Sequence, residues 1–116
     1  MSARLNATIT EADYQDVIVD YARYRGWLVY HARPARTNNG WRTAVQYDGQ
    51  GFPDLVISRG QCNRWIEVKA ARGRLSDPQK RWLDALGCRP DYKPDPAHAA
   101  CVAYPADWPQ IQELLR

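Results

Sequence analysis

The stretch from Leu55 to Val68 leaves few folds open to this chain. It reads Leu-Val-Ile-Ser-Arg, then Gly60-Gln61-Cys62-Asn63, then Arg-Trp-Ile-Glu-Val. Two apolar runs around a polar, glycine-containing break are the pattern of paired antiparallel strands. A turn centred on Gly60-Gln61 sets Leu55 opposite Ile66, Val56 opposite Trp65 and Asp54 opposite Glu67. Gly60 at the first central position predicts a type II′ turn, which needs positive φ there. Side chains alternate between faces along a strand. Leu55, Ile57, Ile66 and Val68 therefore share one face, and Asp54, Glu67 and Lys69 share the other.

Directly opposed residues have Cβ atoms roughly 4.5–5.5 Å apart. Two carboxylates that close repel each other unless a cation lies between them. A hard divalent ion such as Mg²⁺, with Mn²⁺ as a substitute, binds through one or two carboxylates, water and substrate phosphate. Either acid alone reads as a polar residue at a strand end. Pro53-Asp54 at the start of one strand, in register with Glu67-Val68-Lys69 at the end of the other, favours a cation site.

On Pro53-Asp54 and Glu67-Val68-Lys69 the chain resembles the PD-(D/E)XK nuclease superfamily. The surrounding phrases Gly-Phe-Pro-Asp-Leu-Val-Ile and Ile-Glu-Val-Lys-Ala-Ala-Arg-Gly-Arg-Leu-Ser-Asp-Pro-Gln bring it closer to the VRR-NUC branch. The likeness covers nearly the whole chain from about residue 10. It implies an α/β fold with a restriction-endonuclease-like core, a central mixed sheet flanked by helices.

The same resemblance implies a Mg²⁺-dependent nuclease hydrolysing DNA phosphodiester bonds. Small standalone domains of this branch resemble phage or bacterial enzymes that cut branched DNA, such as Holliday junction resolvases. Two symmetric cuts require a C₂ homodimer. A flap or nicking nuclease, and a non-catalytic nucleic-acid-binding subunit with the fold retained, are the alternatives. Asp54, Glu67, Lys69 and Gln79 are the expected catalytic residues. Glu11, Asp54, Glu67 and the Val68 carbonyl are the expected metal ligands. For Glu11, on the helix row with Gln15, Ile18 and Ala22, and for Gln79, the assignment is carried by the resemblance. A helix-end charge and an exposed helical glutamine are their plain readings.

Composition narrows the partners. In 116 residues the formal net charge is only +3, but arginine far outnumbers lysine. Arginine suits bidentate phosphate contacts. Arg33, Arg36 and Arg42 precede the hairpin, and Arg72 and Arg74 follow Lys69. All five are candidates for gripping nucleic-acid phosphates, although a solvated charged face would look similar. Cys62, Cys88 and Cys101 lack metal-site spacing, and reduced thiols in the cytoplasm are the expectation. No apolar run of membrane-spanning length, signal peptide or phosphate-cradling glycine loop is seen. Neither a membrane nor an organic cofactor is expected.

Residues 1–9 read as a short arm and 10–116 as a single domain. Thr10 caps a helix over about 11–25, which Gly26 ends. Residues 27–31 read as a strand, and 34–50 as a long loop with a short strand near 43–47. Ser76 caps a second helix that stops near Leu86. Proline-rich 88–98 is irregular, 100–104 a strand and 107–115 a helix. The final strand should add alongside the hairpin through the second helix, in a right-handed crossover if it is parallel. His31 reads as structural, as do Trp41, Trp65, Trp82 and Trp108, with Trp41 placed to stack on a base.

Overall fold

In the computed structural model, residues 5–6, 8–32, 35–37, 40–42 and 45–116 are described, the side chains of 35–37 and 41–42 excepted. Helix α1 spans Glu11–Tyr24 and strand β1 Leu28–His31. A short hairpin follows, β2 Ala35–Thr37 with β3 Gly40–Arg42. Strands β4 Leu55–Arg59 and β5 Cys62–Val68 precede helix α2, Asp77–Ala85. Strand β6 is Ala100–Ala103, and a 3₁₀ turn over Pro105–Asp107 leads into α3, Trp108–Leu115.

Four strands form one mixed sheet in the order β1-β4-β5-β6. The first three pair antiparallel and β6 joins β5 in parallel. This is the α/β, restriction-endonuclease-like architecture expected from the sequence. The alternation of the hairpin decides its layering. Leu55, Ile57, Ile66 and Val68 are all fully buried, in one core with Tyr14, Ile18 and Ala22 of α1 and Ile111 and Leu115 of α3. Each such aliphatic side chain contributes about 1.5–3 kcal/mol by leaving water. Tyr14 and Tyr21 meet Trp108 edge to face, and the Tyr14 hydroxyl donates to the Tyr104 carbonyl at 2.8 Å. The opposite face carries the smaller cluster of Leu83, Ala100 and Val102 beneath α2. Asp54, Glu67 and Lys69 belong to that second face. Leu5 and Ile9, in the expected arm, pack against the main core.

Three local expectations need correction. The β4–β5 turn is type I′, not II′, because Gln61 as well as Gly60 has positive φ, 70° and 53°; a type I′ turn has both central residues there. Of the short strand expected near 43–47, residues 43–44 lie outside the described residues and 45–47 form no strand, while a strand pair falls earlier, with Arg36 opposite Trp41. Asp54 does not pair with Glu67 in the ladder. That ladder stops at Leu55–Ile66, and Asp54 sits in the bend before β4.

The proline-rich segment after α2 is irregular in the structure, and it covers an edge. The Val102 amide on the outer side of β6 donates to the Tyr92 carbonyl at 2.9 Å. Tyr92 is held by a turn whose ends Arg89 braces through Asp91 at 2.9 Å and Asp95 at 3.3 Å. An exposed strand edge invites pairing with another chain, and here part of it is closed.

Candidate active site

The bend at Asp54 follows directly on Pro53. In the register of β4 and β5, Val68 would face Pro53 across a hydrogen-bonded pair. Proline has no N–H to give, so the Val68 carbonyl gets no ladder donor from that residue. The Val68 amide, whose ladder acceptor would be the Pro53 carbonyl, donates to the Asp54 side chain at Oδ2, 2.8 Å away. That bond anchors the Asp54 carboxyl beside the end of β5. His31 Nδ1 lies 3.0 Å from the Asp54 carbonyl. A carbonyl only accepts, so the ring proton is on Nδ1, and His31 braces the Asp54 backbone.

Glu67 is 2 % exposed and Lys69 9 %, both on the α2 face at the C-terminal end of β5. Lys69 Nζ is 3.9 Å from Glu67 Oε2. Its amide donates to the Ala103 carbonyl at 3.0 Å, so the parallel pairing with β6 fixes its place. Burial, then the charge of Asp54 and a hydrogen bond to it, push the Glu67 carboxyl up from 4.5 to about 9, against the opposing pull of Lys69. With no cation present, burial and the neighbouring Asp54 charge bias Glu67 toward its protonated form.

Gln79 reaches this pair from α2. Its Oε1 accepts the Ser76 amide at 2.8 Å and its own amide donates to Ser76 Oγ at 3.3 Å, a reciprocal capping box. The remaining group, Nε2, donates to Glu67 Oε2 at 3.3 Å. One side chain therefore starts the helix and orients the acid. Gly51, with φ 85°, makes the approach of the preceding loop possible, because a Cβ there would lie 2.6 Å from Pro78 backbone carbon.

Glu11 stands at the first turn of α1, exposed at the surface. Partial burial of its carboxyl and then Asp54 raise its pKa, while Lys69 lowers it. It therefore belongs to the same electrostatic cluster. Among the described residues no three His, Cys, Asp or Glu side chains come together closely enough to hold an ion. The convergent set is Asp54, Glu67, Lys69 and Gln79, with Glu11 at its margin. Arg72 and Arg74 are exposed in the loop that leaves Lys69. Arg33 and the side chains of Arg36, Trp41 and Arg42 lie outside the described residues.

What sequence reasoning missed is the outer wall of the site. The Trp82 indole donates to the Asp48 carbonyl at 2.7 Å, and Phe52 meets Trp82 edge to face at 4.9 Å. Loop 47–52 is thereby seated on α2. Helical spacing alone marked Trp82 only as a packing residue.

The acid pair fits a hard divalent ion. Carboxyls forced together so closely that one retains a proton offer that proton's place to a cation, and Mg²⁺ needs only one or two protein carboxylates when water and phosphate complete its shell. The family model for the VRR-NUC domain matches residues 5–92. No curated protein and no solved structure compared with the chain matches it.

Proposed function

Because the chain belongs to the VRR-NUC domain family, a nuclease family, we propose that it is a metal-dependent nuclease hydrolysing DNA phosphodiester bonds. The carrying observation is the convergence of Asp54, Glu67 and Lys69 on one sheet face, with Gln79 bonded to Glu67. A buried acid beside a second carboxylate and an ammonium group has no packing purpose.

Asp54, Glu67 and the Val68 carbonyl would hold Mg²⁺ or Mn²⁺, with Glu11 near enough to bind through water. A bound ion would make water a stronger nucleophile and neutralise phosphate charge. Asp54 is kept in place by the Val68 amide, so its lone pairs stay aimed at the site. Gln79 holds Glu67 against rotation. Lys69 carries the positive charge that meets the extra negative charge developing on phosphorus-bound oxygen. In the reaction a water oxygen bonds to phosphorus and one ester P–O bond breaks. The leaving oxygen takes up a proton, giving a phosphate monoester and a free hydroxyl. Arg72 and Arg74, with Arg33, Arg36 and Arg42, are assigned to flanking phosphates.

Within this activity we favour a structure-selective endonuclease such as a Holliday junction resolvase, acting as a homodimer on cytoplasmic DNA in repair or recombination. No helix among the described residues is long and apolar enough to cross a membrane.

The test incubates purified protein and Mg²⁺ or Mn²⁺ with four-way junction, flap, single-stranded and linear duplex DNA. Asp54→Ala should abolish cutting while DNA binding persists. Symmetric junction cuts and a dimeric mass in solution support the resolvase assignment. Equal behaviour of wild type and variant would leave a non-catalytic binding subunit.

A further inference from the structure

A cavity of about 330 Å³ opens between α2 and the loop leading to Asp54. Pro78, Arg81 and Trp82 wall it on the helix side, and Tyr47, Asp48 and Gln50 on the other. Residues 78, 81 and 82 lie three and four apart on one helix face. Gln79 and Leu83 take the adjoining face, toward Glu67 and the sheet. The cavity and the acid pair are therefore neighbours across a single helix. Gln50 and Asp54 are four Cα steps apart in the chain, at most about 14 Å.

The loop that forms the outer wall is built, not slack. Gly49 and Phe52 amides bond back to Gln46 and Gly49 carbonyls at 3.1 and 3.2 Å, and the Trp82 indole holds Asp48. At its tip Tyr47 has φ 57°, a conformation in which a bulky residue is an outlier. Its side chain is 98 % exposed, so the strain is not repaid by packing. Strained backbone of this kind gathers at ligand clamps. A bare aromatic at the mouth of a cavity that also holds an indole and a guanidinium suits a flat, electron-rich ring carried on an anionic chain.

We infer that this cavity receives an unpaired nucleobase of the strand being cut, stacked against Tyr47 and Trp82, with Arg81 on a neighbouring phosphate. The inference rests on the nuclease reading for the identity of the strand. Stacking tolerates any base, because each has a π-face. A base inside a duplex is already stacked and must be extruded before it can enter. Preference then goes to DNA with an unpaired nucleotide next to the cut, as at a flap, gap or distorted junction.

The test is run in EDTA, so that it does not depend on cleavage. A single-stranded oligonucleotide carrying 2-aminopurine is titrated with protein, and the same oligonucleotide in a continuous duplex serves as comparison. The expected result is fluorescence quenching for the single strand, and affinity about tenfold weaker for Tyr47→Ala, with Tyr47→Phe close to wild type and duplex binding unchanged. Tyr47 is exposed, so the alanine variant should melt like wild type. Unaltered single-strand affinity in Tyr47→Ala, or equal losses on both DNAs, overturns the inference. Quenching without any Mg²⁺-dependent cutting would instead overturn the nuclease reading and leave the base site standing.

Discussion

Replacing Glu67 by glutamine removes a charge and keeps the shape, and it asks directly whether the acid pair is made for a cation. The ordinary value for this carboxyl is 4.5, and the metal-free fold raises it to about 9. At pH 7 the unfolded chain has released the proton that the native state retains. Each pH unit between 4.5 and the working pH costs about 1.4 kcal/mol, so holding the proton at pH 7 costs the fold about 3 kcal/mol. Below pH 4.5 both states are protonated and the cost vanishes. Metal-free stability therefore falls as pH rises from 4.5 toward 9 and then levels off. Glutamine has no proton to lose and still accepts from Gln79, but its amide must take over the hydrogen bond that the protonated acid makes to Asp54. We expect a net gain of about 1–3 kcal/mol for Glu67→Gln at pH 7, a rise of roughly 4–12 °C in Tm. Calorimetric melts in EDTA at pH 5 and pH 7 measure it, and the gap should shrink at pH 5. Added Mg²⁺ should stabilise wild type and leave the variant unmoved. A variant that melts at or below wild type at pH 7, or a gap independent of pH, refutes the reasoning.

Lys69→Met should lower cleavage about 100-fold or more with DNA affinity little changed, as measured by single-turnover kinetics beside a binding titration. Gln61→Gly should raise stability by about 1 kcal/mol in urea unfolding, since glycine adopts the left-handed turn position without the Cβ penalty. Gly51→Ala should cost roughly 1–3 kcal/mol by wedging loop 47–52 off α2. Crystals or heteronuclear spectra of that variant should show Phe52 and Trp82 displaced, and its cleavage should fall with them because Asp54 follows in the chain.

The hairpin was legible because its determinants are local. Alternation in β4 and β5 and a two-residue turn between them suffice to put Leu55 and Ile66 opposite each other. Helix starts were legible for the same reason, since Thr10 and Ser76 bond amides within one turn of themselves. The type of the turn was not, because glycine is compatible with either primed form and only the backbone of Gln61 distinguishes them. The β2–β3 hairpin was hidden by its brevity: three residues on each side give no period to read. Asp54 was read as a ladder residue because register extrapolates, whereas the Val68 amide goes to the Asp54 side chain and the ladder ends one step early.

By itself the sequence determined which groups share a face, for that follows from the two-residue repeat of an extended chain, and it placed two acids and a lysine together. Only tertiary structure decided what surrounds them. The pairing of β6 with β5 brings Ala103 to Lys69, and the packing of Leu83 over Val102 sets α2 where Gln79 meets Glu67. Loop 47–52 then finds Trp82, which lies 34 positions along the chain from Asp48. Such contacts depend on how distant elements settle against each other, and no local repeat in the chain encodes the protonation of Glu67 or the cavity beside it.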